Sequence, residues 1–439
     1  MLGRYDILFA FPGSQLIALP DGSLLQDGVR QDGKQFLQQL DENYQQQKYT
    51  VSDLDDSRAD CQELPFCGGW FLYLGYELAL EVEPVLKASM PNPTYPRATM
   101  TEIPAGIVRD RLTGKDYVFG SGENAQEQLE QILQDIQQLS VLEEPGGADN
   151  PVSTQAASCD IREENSKQYL ESVRRIKDYI NQGDVFQVNL SRLWNADCED
   201  ELPASEAWRR LRKANPAPFA AWVRLNAEAT LLSSSPERLL EVRQGSVRTR
   251  PIAGTYPRSE EISQDKRLSA ELLMHPKERA EHIMLVDLER NDLGRICRPG
   301  SVHVDDLMVL ESYAHVHHIV SGVSGELKAD VLPGDTIRAV FPGGTITGCP
   351  KIRCMEIIAE LEQQAREAYT GSVGYLCHNG DMDLNILIRT IIHDNNHYSF
   401  RAGAGIVADS KPARELEETR SKARGLKKIF EAAMGIPKS

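Results

Sequence analysis

The spacing of apolar and polar residues predicts both amphipathic helices and short strands. After Asn165, which can cap a helix, apolar residues recur at helical spacing and predict one buried stripe: Tyr169, Val173, Ile176 and Ile180. Gly183 follows this stripe and can end the helix. Further helices are predicted at 123–139, 276–291, 351–367 and 412–435.

Strands are predicted at 185–190, 219–224, 229–234 and 239–249. Because strands and helices mix without a regular βαβ repeat, the pattern favours an α+β fold with mainly antiparallel sheets covered by helices. Residues 143–159 lack periodicity and are rich in Pro, Gly, Ser and Ala, which predicts a linker. It divides an N-terminal region, 1–142, from a larger domain, 160–439.

Composition narrows the classes of function. The 439 residues are 41% hydrophobic and carry a net charge of −17, without a basic stripe, so nucleic acid is not expected as a partner. No apolar run of about 18 residues predicts a membrane span, and the first residues do not resemble a signal peptide. The eight cysteines form no CxxC pair, and we interpret them as reduced thiols of a cytoplasmic protein.

Two predicted helices carry carboxylates on one face. In the helix that begins at Pro276, Glu281 shares a face with Leu285, Leu288 and Asp292. A carboxylate among apolar residues either lies at the rim of an exposed helix or faces a site. In the helix that begins near Pro412, the shared face holds Glu415, Glu418 and Lys422. Spacing alone also allows a solvated face with a Glu418–Lys422 pair there.

Five motifs in order resemble the chorismate-utilising enzymes, a family that includes anthranilate, aminodeoxychorismate, isochorismate and salicylate synthases. They are PIAGT at 251–255, ERAEHIMLVDLERND at 278–292, FPGGTITGCPK at 341–351, GDMDLNILIRT at 380–390 and AGAGIVADS at 402–410. The resemblance runs from about Asn165 to about Ala433. Over the first 140 residues it rests mainly on PFCGGWFLYLGYE. It implies two large, mainly antiparallel sheets packed together, with helices outside.

The resemblance also implies a metal site. Glu281 and Glu418 match the family's carboxylate ligands of Mg²⁺, and Glu415 matches a further carboxylate that holds the ion through water. Chorismate is a dianion, and this chain is acidic, so the substrate needs local neutralisation. Mg²⁺ takes hard oxygen ligands and can act as a Lewis acid while a hydroxide leaves.

Other residues are expected to bind the substrate. Arg389 suits a bidentate carboxylate contact, and Lys422 is a second cation. The amides of Gly403, Ala404 and Gly405 are expected to form an anion-binding nest, although turns between strands have similar sequences. Tyr375 resembles a family tyrosine near the same carboxylate. The alternative, a sheet aromatic, stays open.

Catalytic roles follow from the same resemblance. Glu237 matches a glutamate that protonates the leaving hydroxyl, which suits a general acid because hydroxide is a poor leaving group. His318 matches the active-site histidine, and strand alternation places it on the opposite face from His317. The HVHH cluster has poor spacing for zinc. Thr255 matches a substrate-contacting threonine, and its neighbour Gly254 is counted with the substrate-binding residues.

Two positions bear on the reaction. Gln187 stands where isochorismate and salicylate synthases carry a lysine that activates water, so the expected nucleophile is ammonia. Ala253 stands where many aminodeoxychorismate synthases carry a lysine, and alanine there favours anthranilate synthase. The motifs QVNLSR, HVHHIVS, FPGGTITG and DMDLNI resemble aminodeoxychorismate synthases instead. We therefore expect amination to 4-amino-4-deoxychorismate, on the p-aminobenzoate and folate route.

Two alternatives remain. One is formation of anthranilate with release of pyruvate. The other is a catalytically silent chorismate-binding protein, which has no need for the full set of catalytic residues. No cysteine lies in the G-x-C-x-G setting of a glutamine amidotransferase nucleophile, so ammonia is expected from a separate amidotransferase subunit.

Overall fold

Helices and strands contribute about equally to the fold, and 18 of the 24 described strands belong to two large sheets. The computed structural model describes residues 2–48, 64–142, 159–199, 202–259, 261–312 and 316–431. In chain order the strands are β1 Tyr5–Ala10, β2 Gln15–Ala18, β3 Leu24–Gln26, β4 Val29–Arg30, β5 Gly69–Leu74, β6 Ala98–Ile103, β7 Ala105–Asp110, β8 Lys115–Gly120, β9 Cys159–Glu163, β10 Gln187–Cys198, β11 Phe219–Arg224, β12 Ala229–Ser235, β13 Arg238–Arg243, β14 Ser246–Thr249, β15 Ile252–Pro257, β16 His303–Val304, β17 Val309–Ser312, β18 Val316–Val320, β19 Val323–Glu326, β20 Gly348–Cys349, β21 Ser372–Cys377, β22 Met382–Asn385, β23 Thr390–Asp394 and β24 His397–Ile406.

The helices cover the sheets. They are α1 Phe36–Gln47, α2 Ala79–Val82, α3 Ala125–Leu142, α4 Ser166–Gln182, α5 Ala204–Ala214, α6 Ile262–Met274, α7 Pro276–Ile296, α8 Pro333–Val340, α9 Lys351–Glu362 and α10 Pro412–Lys427. None of the helices in the described ranges is both long enough and apolar enough to cross a bilayer.

The two large sheets are antiparallel, as the fold prediction required. One has eleven strands in the order β16-β19-β14-β13-β22-β21-β5-β6-β2-β3-β4. The other has seven, β11-β12-β23-β24-β10-β20 with β9 also paired to β10. Small three-stranded sheets, β1-β7-β8 and β15-β18-β17, complete the set. The α+β prediction is confirmed.

Strands from both predicted domains share the eleven-stranded sheet. Its central pair joins β5 from the N-terminal region to β21 from the C-terminal region. The boundary at residue 143 therefore does not separate two sheets. Of the predicted linker, only Cys159 lies within the described residues, where it begins β9.

Three of the six apolar clusters in the described residues pack helices against the two large sheets. The largest packs the eleven-stranded sheet against α1, α7 and α8 and contains, among others, Leu40, Leu72, Leu240, Leu293 and Ile337. A second packs the seven-stranded sheet against α5 and α10, with Trp194, Leu211, Phe400 and Leu426. A third joins α4, α9 and α10 to β10 and β24. The seven-stranded sheet is thus fixed by helices on the face that carries Leu190 and Ala404.

Helix α4 follows its sequence signals closely. The Asn165 side chain accepts a hydrogen bond from the backbone N–H of Lys167 at 2.9 Å, and Gly183 ends the helix with a left-handed φ of +84°. Tyr169, Val173 and Ile176 are buried, as predicted. Local capping and periodicity therefore determine this helix.

Some boundaries were predicted wrongly. The strand predicted at 239–249 is a hairpin of β13 and β14 that turns through Gln244 and Gly245, both with positive φ. Helix α9 ends at Glu362 because Gln363 takes a left-handed φ of +54°, five residues before the predicted end. The strand predicted at 185–190 continues to Cys198, where it pairs with β9 and β24.

The cysteine prediction is wrong for one pair. Cys159 and Cys198 are direct partners across β9 and β10 and form a disulfide. Their 39-residue separation hid this contact, which only strand register creates. Four other described cysteines are free thiols: Cys297, Cys349, Cys354 and Cys377.

Candidate active site

An open strand edge lies at the centre of the candidate site. Strand β24 pairs with β10 along its whole length, but its other neighbour, β23, pairs only with residues 397–400. The N–H groups of Asn189 and Ser191 bond to Thr347 and Glu362 rather than to β24. In an antiparallel ladder, residue pairs alternate between hydrogen-bonded and non-hydrogen-bonded, and these two pairs are of the second kind. The N–H and C=O groups of the partner residues, Gly405 and Gly403, therefore point away from β10. No other described strand pairs with that edge.

Arg389 lies just before the first residue of β23, next to the open edge of β24. Its left-handed φ of +52° turns the chain just before Thr390 begins β23. The half-buried guanidinium donates a long hydrogen bond of 3.5 Å to Asn215 Oδ1. Among the described carboxylates, none lies within ion-pair distance of Arg389. Burial lowers its pKa, and the nearby charge of Glu237 partly opposes that effect. This cation remains available to an anionic ligand.

Lys422 supplies a second cation at the same edge. Its ammonium donates to the Gly403 carbonyl at 2.9 Å and pairs with Glu418 at 2.9 Å, one turn earlier on α10. Both side chains remain accessible, at 46% and 43% exposure. The surrounding protein disfavours the charge, but the Glu418 carboxylate outweighs it and raises the pKa of Lys422. The predicted Glu418–Lys422 pair therefore exists, and it faces the strand edge.

Glu281 approaches the same edge from α7. Its Oε1 atom accepts a hydrogen bond from Gln187 Nε2 at 2.9 Å. It would lie 3.4 Å from a Cβ atom placed at Gly405, which puts this carboxylate beside that glycine. Glu415, buried one turn before Glu418, lies near Tyr169, where burial together with the charges of Glu415 and Glu418 raises the tyrosine pKa.

These carboxylates suit a hard cation. Glu281 lies beside Gly405. Glu418 pairs with Lys422, which in turn donates a hydrogen bond to the Gly403 carbonyl. The two glycines are two residues apart on one strand, or about 6.6 Å. Mg²⁺ is commonly held by one or two carboxylates and keeps waters or substrate oxygens. In the described part of the chain, no three His, Cys, Asp or Glu side chains converge enough to hold a metal alone. An ion here would need oxygens from water and substrate.

Glu237 is buried close to both cations. Its carboxylate accepts a hydrogen bond from Thr345 Oγ1 at 2.9 Å. Burial raises its pKa to about 7, although the Thr345 hydrogen bond and the charges of Lys422 and Arg389 act in the opposite direction. A carboxyl group with this pKa is partly protonated at neutral pH and can donate a proton to a leaving group.

The two histidines of β18 have separate surroundings, as strand alternation predicted. His317 is fixed by Ser312 at Nδ1, 2.7 Å, and by Asp265 at Nε2, 3.0 Å. His318 is buried near the site cations. Burial and the charge of Arg389 lower its pKa to about 4, against a hydrogen bond to the Gly254 backbone. His318 is therefore neutral at neutral pH.

The predicted turn at Pro251–Thr255 is mostly strand. Residues 252–257 form β15, and a bulge between Ala253 and Thr255 interrupts its pairing with β18. Gly254 forms that bulge with a left-handed φ of +67°; a side chain there would meet Leu272 at 2.9 Å. Thr255 pairs with His318 through the backbone, and its side chain lies outside the described atoms. Ala253 is buried, with 6% exposure.

Tyr375 is not at this site. It lies on β21 of the eleven-stranded sheet, where its ring packs against Phe66 and its hydroxyl is surrounded by Asp383, Arg238 and Arg243. Its interpretation as a substrate-binding tyrosine is wrong, and the sheet-aromatic alternative is right. Tyr369 takes its place: its hydroxyl would lie 2.7 Å from a Cβ atom at Gly403. Burial raises the pKa of Tyr369, and the charges of Arg366 and Lys422 oppose this.

The anion-binding nest is also absent from the described backbone. Residues 402–405 are regular strand without a left-handed φ, and a nest requires one. Ala404 forms a hydrogen-bonded pair with Leu190 by the same alternation, and its side chain is fully buried in the core under α4 and α9. Gly403 and Gly405 therefore offer amides at the strand edge, and Ala404 does not.

Sequence reasoning missed three residues of the site: Thr345, Tyr369 and Asn189. Thr345 lies inside the FPGGTITG motif, where its hydroxyl is a signal for a hydrogen-bond donor. Asn189 alternates with Gln187 on β10, so strand periodicity could have placed both on one face. Tyr369 is positioned by the turn after α9, which carries no local signal. Among the other predicted residues, Glu237 and His318 lie near Arg389 and Lys422, Glu281 contacts Gln187, and Glu418 and Glu415 share α10 with Lys422. Their roles stay predictions.

Known proteins resemble this chain over most of its length. A family model described as chorismate binding enzyme matches residues 16–428. An anthranilate synthase component I-like protein from Synechocystis is 40% identical over 369 residues, 83% of this chain and 73% of the relative. An aminodeoxychorismate synthase component 1 from Klebsiella aerogenes is 49% identical over 257 residues, 58% of this chain and 56% of the relative.

A solved structure agrees with the architecture as well as with the sequence. Anthranilate synthase component I from Streptococcus pneumoniae superposes with a TM-score of 0.82 at 31% identity, covering 96% of this chain and 92% of that one. The relatives carry two different reaction names, so they agree on the substrate-binding family and divide on the reaction. The motifs, the sheet architecture and these matches together show that the chain belongs to the chorismate binding enzymes.

Proposed function

We propose that this enzyme aminates chorismate with ammonia to 4-amino-4-deoxychorismate. The observation that carries the choice of nucleophile is Gln187. It stands on β10 beside Glu281, and its amide donates to that carboxylate at 2.9 Å. A side-chain amide has no basic nitrogen, so it cannot deprotonate water. A nucleophile that needs no base, such as ammonia, fits this position better.

Different charged groups are expected to bind different parts of the substrate. Arg389 and the amides of Gly403 and Gly405 bind carboxylate oxygens, and Lys422 supplies a further positive charge. Glu281 and Glu418 would hold Mg²⁺, with Glu415 behind them; when bound, the ion neutralises a substrate carboxylate and acts as a Lewis acid. These residues concentrate positive charge for a dianion within an acidic chain.

Glu237 supplies the proton for the leaving group. Its carboxyl, protonated in part at neutral pH, donates to the ring hydroxyl, which leaves as water as its carbon–oxygen bond breaks. Ammonia forms the new carbon–nitrogen bond through its lone pair and then loses one proton, which restores the Glu237 carboxyl. Burial and the nearby charge of Arg389 keep His318 neutral, so its imidazole is available to accept a hydrogen bond or a proton at the site.

The position of amination rests on sequence motifs. Asn189, in the QVNLSR motif shared with aminodeoxychorismate synthases, faces the site. The Klebsiella relative with that name is 49% identical over the region it matches. We therefore favour nitrogen entry at ring position 4 with retention of the enolpyruvyl group.

Anthranilate synthesis is the second candidate, and Ala253 favours it. The alanine is buried and touches the same small sheet as His318, where many aminodeoxychorismate synthases carry a lysine. That reaction would use the same acid, the same cations and the same ammonia. It differs in the ring position attacked and in the loss of pyruvate.

One assay separates the two reactions. Purified chain is incubated with chorismate, Mg²⁺ and ammonium, and products are separated by chromatography while pyruvate is measured. The expected product is 4-amino-4-deoxychorismate without pyruvate. Addition of a separate pyruvate-eliminating lyase should then give p-aminobenzoate. Fluorescent anthranilate with one equivalent of pyruvate, in the absence of that lyase, would establish the second candidate.

Glutamine is the expected physiological source of nitrogen, through a partner subunit. The relatives are named as component I or 1, which implies a second component, and no cysteine of this chain stands in a G-x-C-x-G motif. Glutamine alone should therefore give no product with the purified chain. Glutaminase activity of the chain by itself would contradict the two-subunit arrangement.

A further inference from the structure

Two buried amide oxygens at the site lack a hydrogen-bond donor. Gln187 and Asn189 are only 3% and 9% exposed, and they lie two residues apart on β10, so both face the same side of the sheet. Among the described residues, no donor reaches Gln187 Oε1 or Asn189 Oδ1. A buried acceptor without a donor costs about 1–3 kcal/mol, so a neighbouring pair indicates a ligand with N–H or O–H groups.

Neighbouring contacts place both amide groups beside the glycines of β24. The Gln187 amide is oriented by its Nε2 hydrogen bond to Glu281 Oε1 at 2.9 Å, which commits the nitrogen and leaves the oxygen free. Asn189 Oδ1 would lie 2.8 Å from a Cβ atom at Gly403, and Gln187 Nε2 only 2.4 Å from one at Gly405. Glycine at both positions therefore lets the two amides lie directly against the backbone of β24.

The chemistry of these atoms selects the ligand. The carboxylates and the ether oxygen of chorismate only accept hydrogen bonds and would be repelled by amide oxygens. Its hydroxyl is a donor, but that group belongs near Glu237, which protonates it. Ammonia brings three N–H donors to acceptors that carry no full negative charge. Neutral acceptors matter because a carboxylate would favour the ammonium ion, which has no lone pair for attack.

We infer that Gln187 Oε1 and Asn189 Oδ1 form the binding site for the ammonia nucleophile. This inference rests on the proposed amination reaction, and it locates the binding site of ammonia, the second substrate, on strand β10. Each oxygen accepts one N–H bond, and the nitrogen lone pair remains free to form the bond to the ring. Residues two apart on a strand are about 6.6 Å apart at Cα, a distance that one small molecule can bridge between their side chains.

Asn189 is the residue to test, because a change of Gln187 would also disturb Glu281. In Asn189→Leu the side chain keeps a similar size and loses its acceptor. KM for ammonium should rise about tenfold, the loss of one hydrogen bond to a buried ligand, while KM for chorismate stays within about twofold. Asn189→Ala provides the same loss in a smaller side chain and should give the same shift, should the leucine variant fold poorly.

The matched control is Asn195→Leu, the same change six residues along the same strand. It should leave both KM values unaltered, with unfolding midpoints recorded for all variants. An unchanged KM for ammonium in both Asn189 variants would overturn the ammonia site while wild-type amination still stood. A rise confined to the KM for chorismate would also overturn it, by placing Asn189 against the ring substrate. Absence of any aminated product from the wild-type chain would overturn the proposed function itself.

Discussion

Two groups of charged residues lie beside strands β10 and β24, and they differ in how completely they are paired. In the first group, Glu362 accepts hydrogen bonds from Arg366, Arg401 and Ser191, and all three charged side chains are at most 4% exposed. In the second group, at the open edge of β24, Arg389 has no described carboxylate partner, and the Lys422–Glu418 pair is open to solvent. The first group is thus a closed network of charges, and the second is an open one.

The difference in pairing indicates that one group of charges supports the fold and the other supports catalysis. Inside the closed network, burial acts against the Glu362 charge, but the two guanidinium groups hold its pKa below the ordinary value. In the site, burial instead raises the pKa of Glu237 to about 7 because no cation contacts it directly. Paired charges are stable in one ionisation state and support the fold. Incompletely paired charges can change state or bind a ligand, which is what catalysis requires.

The largest expected effect is on catalysis by Glu237. Glu237→Gln keeps the shape of the side chain and removes its proton, so kcat should fall by roughly 10²- to 10⁴-fold, as for the loss of a general acid. Steady-state rates of amination measure it. A variant within about threefold of wild type would show that another group protonates the hydroxyl.

The same carboxyl predicts a pH dependence. Because the acid form is active, wild-type kcat should decline as pH rises through about 7. Stability has the same sign: the folded pKa lies above the unfolded value, so the contribution is present below about pH 4.5 and is lost as pH rises through about 7. Glu237→Gln should remove both dependences. A kcat that is flat from pH 6 to 9 would contradict the assignment.

The closed network should respond in stability. Glu362→Gln leaves Arg366 and Arg401 buried without their counter-charge and should lower the free energy of unfolding by about 3–5 kcal/mol. Urea unfolding followed by circular dichroism measures it. Glu360→Gln on the same helix, whose side chain is 38% exposed, should cost less than about 1 kcal/mol. An equal loss of unfolding free energy in the two variants would show that the buried network is no more important for stability than an exposed ion pair.

Substitution of the candidate metal ligands should lower activity and hardly change stability. Glu281→Gln and Glu418→Gln should each lower Mg²⁺-dependent activity by about a hundredfold or more, with an unchanged circular-dichroism spectrum. Calorimetric titration with Mg²⁺ in the presence of chorismate gives a second readout. Asp287→Asn on α7 and Glu417→Gln on α10 are matched controls, with exposed side chains at 63% and 66%. Wild-type activity in either ligand variant would remove that residue from the metal site.

The smallest effect is expected from Arg389→Lys. Lysine keeps the charge but loses the planar pair of donors, so KM for chorismate should rise about tenfold and kcat should change less. Arg224→Lys, an exposed position on edge strand β11, should have no effect. If Arg389→Lys leaves KM unchanged, a single charge suffices at this position and the bidentate contact is wrong.

Local signals in the sequence determined much of this protein. Capping and periodicity determined α4, and proline at the first turn fixed the starts of α7 and α10. Alternation placed His317 and His318 on opposite faces. Motif resemblance then named Glu237, Glu281, Glu418 and Arg389, because a family's chemistry keeps residue types at fixed places in the chain.

Tertiary structure alone decided the rest, because those features depend on contacts between distant residues. Tyr369 lies beside Gly403 and Tyr375 does not, because Tyr369 is in the turn after α9 and Tyr375 is on β21 of the eleven-stranded sheet. Local sequence does not show this placement. The Cys159–Cys198 disulfide depends on strand register across 39 residues. The glycine pattern of β24 predicted an anion-binding nest, yet these residues form an open strand edge. The edge is open because β23 begins only at Thr390, after Arg389 turns the chain. Unpaired backbone and unpaired charge are relations between elements, so they become visible only once the sheet is assembled.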